Sequence, residues 1–255
     1  MAIVTLLTDS GEIDHYVAAI KARILRDNPA TVVVDLTHRI ATCDIAHAAF
    51  VLRSVFREFP PGTVHLAGVH ATGNRDDHAI ALQLEDHFFV GSDNGLFSLI
   101  SDSPPQQVVV LTNDAVETFP ERDVFAPAAA RLAAGASLHE LGEPVESLKR
   151  MVDRHVKATR KLISGNVIHV DSFGNLITNI PRTTFEAIRQ DRPFTIQFGG
   201  EKFRRLHTRY NQAEEGECVL LFNSLGLLEI GIYKGNASEL LGLTYDSMVN
   251  ISFQE

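Results

Sequence analysis

Hydrophobic residues follow two different patterns along the chain, and the pattern changes near residue 145. In the first part, short apolar runs typical of buried strands alternate with apolar stripes at helical spacing. The predicted strands are 3–7, 32–36, 64–69, 79–84, 88–90 and 108–111, and the predicted helices are 14–25, a segment capped by Asp44 and stopped at 60–62, and 123–132. Strands that alternate with helices predict an α/β domain, with helices on both faces of a mostly parallel sheet.

The end of the chain instead carries strand signals that are separated by glycine and polar turns. These strands are predicted at 167–170, 194–198, 219–222 and 227–232. We therefore predict an N-terminal α/β domain over 1–145, a charged linker over 146–163 and a smaller β-rich domain over 164–255. A solvated helix or an edge segment inside one domain is the alternative interpretation of the charged stretch.

The composition is that of a globular protein and argues against several classes of function. Hydrophobic residues make up 45% of the 255 residues, and 23 basic against 32 acidic side chains give a net charge of −9. No basic stripe of the kind that nucleic-acid binders carry is visible, and the net field repels phosphate. No apolar run approaches the roughly 18 residues of a membrane span.

The N-terminus and the cysteines predict the compartment. The first nine residues, MAIVTLLTD, read as a strand without the positive region and cleavage site of a signal peptide. Cys43 and Cys218 are far apart and follow no metal or redox spacing, so we expect two free thiols in a reducing compartment. We therefore expect a cytoplasmic protein.

Four segments combine turn residues with polar side chains next to predicted strands, at 8–11, 71–74, 171–175 and 223–226. In open α/β sheets, ligands bind beyond the carboxyl ends of the strands, where the first two segments lie. Asp9 is a candidate for binding a ribose diol, because a carboxylate can accept two hydroxyl hydrogen bonds. An Asx-turn or a helix cap is the alternative role for this residue.

Known phosphate-binding and metal-binding patterns are missing from the sequence. GxxxxGK[ST], GxGxxG and GxSxG do not occur, which disfavours a nucleoside triphosphate or a dinucleotide. His70, Asp77 and His78 cluster but lack an HxxxH or CxxC frame, so polar strand-end residues are a better interpretation than a metal site. The residues alone thus predict an α/β ligand-binding protein with a β-rich second domain.

Ordered motifs nevertheless run along nearly the whole chain. They are LTDSG at 7–11, VDLTH at 34–38, SDNGL at 92–96, RDVFAP at 122–127, DSFGNLITN at 171–179, and a block from Asn223 through LEI at 228–230 to GNA at 235–237. Together they resemble the motifs of the S-adenosylmethionine (SAM) hydroxide adenosyltransferases, or SAM hydrolases, and of the related SAM-dependent fluorinases and chlorinases. The last two blocks are the most specific.

This resemblance implies a fold, an assembly and a reaction. It implies a larger α/β domain, a small β-barrel-like domain and a homotrimer in which SAM lies between the N-terminal domain of one subunit and the C-terminal domain of its neighbour. The implied reaction is attack of water or hydroxide on C5′ of SAM, which expels methionine and leaves adenosine. It implies no metal and no cofactor besides the substrate SAM.

The resemblance also assigns binding positions, residue by residue. Asp9 would bind the ribose hydroxyls, and Thr72 would lie near the ribose and C5′. Stacking and amide contacts to adenine are expected from Phe173, Tyr210, Asn175, Asn236 and the backbone of Ala237. Plain core packing is the alternative role for the two aromatic residues.

The methionine part of SAM has its own expected positions. Asp171 would pair with the ammonium group. Ser224, which follows Asn223 in the same motif, would hold the carboxylate. Both assignments come from the resemblance alone.

The chain departs from the family pattern at the reacting end of the site. The hydrolase set of Asp, Arg and His corresponds here to His70, Asp77 and Pro120. Residues 71–73 read Ala-Thr-Gly as in the halogenases, but Glu121 stands where those enzymes keep Ser or Gly at the halide position. A carboxylate there would repel fluoride or chloride, so halogenation is disfavoured.

Three interpretations of the activity follow. The first is a SAM hydrolase with a rebuilt water site, in which His70 is a general base and Asp77 or Glu121 orients it or shares the work. The second is a SAM- or adenosine-binding protein without chemistry, and the third is adenosyl transfer to another nucleophile. We favour the first, with His70, Asp77 and Glu121 as catalytic candidates.

Overall fold

The computed structural model describes residues 2–112, 118–152 and 154–254. The chain divides into two compact units, Met1–Val152 and Asp153–Glu255. Each unit has its own sheet and its own buried core.

The first unit contains a seven-stranded sheet in the order β2-β1-β3-β5-β4-β6-β7. Its strands are β1 (Ile3–Thr8), β2 (Val32–Thr37), β3 (Val64–Gly68), β4 (Ala79–Leu84), β5 (His87–Ser92), β6 (Gln107–Leu111) and β7 (Gly142–Pro144). Its helices are α1 (Tyr16–Asp27), α2 (Ile45–Val55) and α3 (Ala126–Ala133). The mixed α/β architecture predicted for this unit is confirmed.

The prediction of a mostly parallel sheet is wrong, because only part of the sheet is parallel. Strands β2, β1, β3 and β5 are parallel neighbours, whereas β4, β6 and β7 join in antiparallel pairs. The reversal begins at a two-residue turn, Glu85 and Asp86, between β4 and β5, and so short a connection forces an antiparallel pair. Glu85 has a φ of +54°, a left-handed backbone conformation that glycine or asparagine usually adopts in such turns. Because neither residue is present here, the sequence did not indicate the turn.

Both faces of the first sheet are covered by helices. Adjacent β1 residues point to opposite sides: Leu6 packs in the cluster that holds the α1 and α3 residues, and Leu7 packs in the cluster that holds the α2 residues. Burying each such leucine contributes about 2 kcal/mol. Asp44 caps α2 as predicted, because its Oδ1 accepts the His47 N–H at 2.9 Å.

The second unit contains an eight-stranded antiparallel sheet and two helices. Its strands are β8 (Lys157–Ala158), β9 (Leu162–Val170), β10 (Leu176–Pro181), β11 (Phe194–Phe198), β12 (Glu201–Phe203), β13 (Cys218–Phe222), β14 (Leu227–Ile232) and β15 (Met248–Phe253), and its helices are α4 (Arg182–Arg189) and α5 (Ala237–Leu241). The main strand order is β12-β11-β15-β9-β10-β14-β13.

Strand β9 makes this second sheet curl. Its first half, 162–166, pairs with β15, and its second half, 167–170, pairs with β10. The sheet forms a curled half-barrel whose path of strands runs from β12 to β13. The elements of the second unit that were not predicted are β8, β10, β12, β15, α4 and α5, and β7 was not predicted in the first unit.

The charged stretch before this sheet takes part in both units. The Lys149 and Met151 backbone N–H groups donate to Asp93 Oδ1 and Ser98 Oγ of the first unit, each at 2.9 Å. Strand β8 and the start of β9 also fall inside 146–163. In the described residues, no helix is both long and apolar enough to cross a membrane.

Candidate functional site

Asp9 connects the loops at the carboxyl edge of the parallel strands. It directly follows β1, and β1 pairs with β3 so that Thr8 lies opposite Gly68. Asp9 Oδ2 accepts the backbone N–H of Cys43 at 2.9 Å and that of His70 at 3.2 Å. A carboxylate offers about four acceptor positions, so this loop-holding role leaves capacity for the hydroxyl pair of a ribose.

Glu121 lies at the same edge of the sheet as Asp9. Its residue is 9% exposed, and it belongs to a π-helical turn over Glu121–Phe125 that leads into α3. Burial raises the pKa of its carboxyl group, a backbone hydrogen bond acts in the opposite direction, and the charge of Asp9 raises the pKa further. Glu121 therefore holds a proton more readily than an exposed glutamate does.

His70 occupies a left-handed backbone conformation at the start of the loop after β3. Its φ is +47°, which a residue other than glycine adopts only when its surroundings hold it there. Here the His70 N–H donates to Asp9, and the His70 carbonyl accepts the Gly73 N–H at 2.9 Å. The buried Asn94 adds a longer contact to the same carbonyl at 3.4 Å. The exposed Thr72 lies within this turn.

Asp77 is engaged by the loop itself. Its side chain is 2% exposed, and it accepts hydrogen bonds from Lys149 Nζ at 2.6 Å and from the Asn74 N–H at 2.7 Å. Burial acts to raise the pKa of Asp77, but the hydrogen bonds from Asn74 and Lys149 and the lysine charge outweigh it and lower the pKa. Asp9 thus accepts the backbone N–H of His70 and lies close enough to Glu121 for its charge to act on that carboxyl group, whereas Asp77 closes the loop that carries Thr72.

A pocket of about 670 Å³ lies within the second unit, a size typical of small-molecule sites. Its lining residues are Asp171, Phe173, Asn175, Tyr210, Ile232, Tyr233, Lys234, Gly235 and Asn236. Five of them were singled out from the sequence motifs as binding residues. Within the described part of the chain, no group of three or more His, Cys, Asp and Glu side chains could hold a metal ion.

The turn after β9 presents Phe173 to the pocket. Asp171 Oδ1 accepts the N–H groups of Phe173 and Asn175 at 2.9 and 2.8 Å, and its Oδ2 accepts Asn175 Nδ2 at 3.0 Å. Gly174 has a φ of +82°, and a β-carbon there would lie 1.9 Å from Asn236 Oδ1. Phe173 is 76% exposed, which rules out core packing for this ring.

Tyr210 and Asn236 are each held by a carboxylate. The Tyr210 hydroxyl donates to Glu229 Oε1, and burial, followed by this partner, raises the pKa of the phenol. Asn236 caps α5 through its Oδ1, which accepts the Glu239 N–H at 3.1 Å, while its Nδ2 donates to Glu239 Oε1. Ala237, the next residue, is buried.

Asn223 and Ser224 occupy the turn between β13 and β14. Asn223 Oδ1 accepts the N–H groups of Leu225 and Leu227 at 3.0 and 3.2 Å, which leaves the neighbouring Ser224 exposed at the tip. Asn223 Nδ2 donates to Glu229 Oε2 at 3.0 Å. Sequence analysis included Glu229 in the LEI motif without assigning it a role, although a charged residue inside the apolar run LLEIGI was a usable signal.

Comparison with known proteins identifies the family to which the chain is related, which the geometry of the site alone does not. Two family models match the chain: the SAM hydroxide adenosyltransferase N-terminal domain at residues 4–142 and the C-terminal domain at 165–250. An (R)-S-adenosyl-L-methionine hydrolase of Thermus thermophilus is 35% identical over 260 residues, covering 95% of this chain and 96% of the relative. A fluorinase of an Actinoplanes strain is 24% identical over 220 residues, covering 72% and 73%.

A solved structure has the same fold. An uncharacterized conserved protein from Thermotoga maritima superposes with a TM-score of 0.90 at 29% identity, covering 98% of this chain and 99% of that one. The similarity extends through both units, so neither is an addition peculiar to this chain.

Proposed function

This chain belongs to the SAM hydroxide adenosyltransferase family, and we propose that it is an enzyme that hydrolyses S-adenosylmethionine to adenosine and L-methionine. The observation that carries this conclusion is the match of both family models, one in each unit, together with near-full-length similarity to a hydrolase. The fluorinase relative is more distant in both identity and coverage.

The reaction needs positioning more than activation of the leaving group. The oxygen of water bonds to C5′ while the C5′–S bond breaks, its electron pair goes to sulfur, and methionine leaves as a neutral thioether. The attacking water loses one proton. The protein must align oxygen, C5′ and sulfur and exclude competing water. In this proposal the reaction requires SAM and water and no further cofactor.

The residues around Asp9 supply the reacting end in this proposal. Asp9 accepts the ribose hydroxyls with the acceptor capacity that Cys43 and His70 leave, and Thr72 lies beside C5′. The His70 imidazole accepts the proton of water, because a neutral imidazole nitrogen can act as a general base. Asp77, already held by Lys149 and Asn74, maintains the loop instead of exchanging protons.

The pocket of the second unit takes the adenine. Phe173 and Tyr210 stack on the base, and Asn175, Asn236 and the Ala237 backbone read its polar edge. The support for this role is the exposed Phe173 ring, because an aromatic ring that is open to solvent at the mouth of a pocket is available to a planar ligand.

Methionine would be held beside that pocket by Asp171 and Ser224. The Asp171 oxygens already accept three hydrogen bonds from their own turn, which orient them and leave room for one from an ammonium group. Ser224 lies at the tip of an ordered turn, where its hydroxyl and N–H can meet a carboxylate.

We place the complete site between neighbouring subunits of a homotrimer. The support is the family resemblance together with two large apolar side chains that a single chain leaves open to solvent, Phe173 at 76% and Ile13 at 98% exposure. Cytoplasmic location likewise stays a prediction.

The test of the function is product analysis. Purified protein is incubated with SAM in halide-free buffer, and the products are separated by chromatography with mass detection. Adenosine and methionine should appear in equal amounts and in proportion to enzyme, above the spontaneous decay of SAM. A protein that binds SAM without forming products would instead be a binding module.

A further inference from the structure

Glu229 is a buried carboxylate that none of the assigned roles uses. It lies in β14 between the fully buried Leu228 and Ile230, and its residue is 8% exposed. An ionised group at such a position is costly unless hydrogen bonds satisfy it. Its partners therefore indicate why an otherwise apolar strand carries it.

Each carboxylate oxygen of Glu229 holds a different part of the second unit. Oε1 accepts the hydroxyl of Tyr210, which begins the short 3-10 turn Tyr210–Gln212. Oε2 accepts Nδ2 of Asn223 at 3.0 Å, in the turn between β13 and β14. One side chain thus fixes an aromatic ring that lines the pocket and the turn that carries Ser224.

Gly231, two residues further along β14, leaves space for the same ring. Side chains two residues apart in a strand share a face. A β-carbon on Gly231 would lie 2.5 Å from Tyr210 Oη and 2.6 Å from its Cε1. The same atom would lie 2.8 Å from Asn175 Oδ1. Gly231 and Glu229 together therefore determine where the Tyr210 ring can stand.

We propose that Glu229 is the positioning residue of the adenosyl pocket. It orients the Tyr210 ring for stacking on adenine and, through Asn223, the turn that carries Ser224 to the methionine carboxylate. This inference rests on the proposed function, because it takes the pocket of the second unit as the adenine site. Glu229 itself touches no reacting atom, so it acts on binding and not on the chemical step.

Glutamine is the informative replacement at this position. Its Oε1 can accept Asn223 Nδ2 while its Nε2 donates to the Tyr210 hydroxyl oxygen, because a phenol is both donor and acceptor. Both links survive without the charge. Leucine has a similar volume and removes both links, leaving the Asn223 amide and the Tyr210 hydroxyl without this partner.

The experiment compares Glu229→Leu, Glu229→Gln and a matched control, Thr178→Val. Thr178 is fully buried in the neighbouring strand β10, and its hydroxyl donates to the Leu228 carbonyl at 2.8 Å without lining the pocket. Adenosine Kd is measured by calorimetry, and KM and kcat are measured with SAM. Melting temperature is recorded for every variant.

For Glu229→Leu, the adenosine Kd and the SAM KM should rise by about tenfold or more, with kcat within about threefold of the original chain. Glu229→Gln should stay within about threefold on both binding constants. Thr178→Val should lower only the melting temperature. Normal adenosine binding by Glu229→Leu, equal losses in the two Glu229 variants, or a matching loss in Thr178→Val would each overturn the assignment.

Two further outcomes separate this inference from the proposed function. A chain that binds adenosine but does not cleave SAM contradicts the hydrolase, while the adenosine Kd still tests Glu229. A chain that binds neither adenosine nor SAM overturns both. Should Glu229→Leu not fold, Tyr210→Phe and Asn223→Ala each remove one link, and an unchanged adenosine Kd in both would overturn the proposal.

Discussion

Glu121 fills the space directly above Gly68, where a β-carbon would come within 2.6 Å of Glu121 Cγ. Gly68 is the last residue of β3, and Glu121 opens the turn that leads into α3. A buried acid is therefore fitted against the edge of the sheet where Asp9 and His70 lie. The position of Glu121 also argues against binding of a halide ion, because Glu121 and Asp9 place two acidic groups at one edge of the sheet.

Enlarging Gly68 should therefore displace Glu121. We expect Gly68→Ala to lower kcat/KM for SAM by on the order of 10- to 100-fold, because small misplacements at a reacting centre are costly. The variant should also lose stability, which a calorimetric melt would measure. The double variant Gly68→Ala with Glu121→Ser removes the clashing carboxylate and should recover stability. Equal instability of the single and double variants would contradict the contact.

His70 is the residue for which a proton-transfer role can be tested cleanly. Asparagine tolerates a positive φ better than alanine, so His70→Asn keeps the turn while it removes the imidazole. We expect kcat for SAM hydrolysis to fall by on the order of 100- to 10,000-fold with KM little changed. His78→Ala, an exposed histidine on the same loop, serves as the control and should keep its rate. Undiminished turnover of His70→Asn would remove His70 from the mechanism.

Subunit mixing tests where the complete site is formed. Asp9→Ala damages the proposed ribose contact and Tyr210→Ala the proposed adenine contact, so each homogeneous variant should be inactive. If the site joins neighbouring subunits, coexpression of the two variants should restore about a quarter of the sites, because a random share of interfaces pairs two intact halves. No restored SAM hydrolysis in a verified mixed oligomer would place both halves of the site in one chain.

Acid should destabilise the first unit through a buried histidine pair. His65 accepts or donates one hydrogen bond with Thr5 at 2.7 Å and lies 3.3 Å from His87, and burial followed by the His87 charge lowers its pKa from 6.5 to about 3. Between these two pKa values His65 is protonated in the unfolded chain but stays neutral in the folded chain. The stability of the folded chain therefore falls as pH drops from 6.5 towards 3.

The size of that effect can be measured in urea. One pH unit below 6.5, this single group should cost about 1.4 kcal/mol of unfolding free energy. The double variant Thr5→Val with His65→Leu removes His65 together with its hydrogen-bond partner. In this variant the unfolding free energy should depend less on pH between neutral pH and one unit below 6.5. A slope as steep as that of the original chain would assign the acid sensitivity to other groups.

Alkali should act on the second unit through Tyr210. Its phenol pKa is raised from 10.0 by burial and by the hydrogen bond to Glu229, so the folded chain keeps a proton that the unfolded chain releases. The stability of the original chain should therefore fall as pH rises above 10, and the stability of the Tyr210→Phe variant should fall less over the same range. Ultraviolet titration of the original chain should show that only three of its four tyrosines ionise before the protein unfolds. Four tyrosines titrating together in the folded protein would contradict the buried phenol.

The pocket of the second unit was the part of the site most accessible from sequence. The block 171–179 is local, so its turn, its exposed Phe173 and its Asp171 hydrogen bonds follow from a few adjacent residues. Tyr210 required the resemblance, because nothing adjacent marks it. Glu229 belonged to the LEI motif but was assigned no role, because its role depends on two partners that are 19 and 6 positions away.

The sheet of the first unit shows a similar limit. Its parallel core was indicated by alternating strands and helices, but the β4–β5 hairpin was not, because Glu85 and Asp86 are not the residues that such turns favour. Burial of Glu121 could not be predicted either, since it depends on Gly68, which lies far away in sequence and next to it in space. In the second unit, β15 had the alternating apolar residues Val249, Ile251 and Phe253 and could have been found.

The most direct test of the account uses water labelled with oxygen-18. SAM is incubated with the enzyme in labelled, halide-free buffer, and adenosine is analysed by mass spectrometry. Attack of water on C5′ predicts adenosine that carries one labelled oxygen at its 5′ hydroxyl, together with unlabelled methionine. Adenosine without the label, label in methionine, or SAM that is bound and left intact would contradict hydrolysis at C5′.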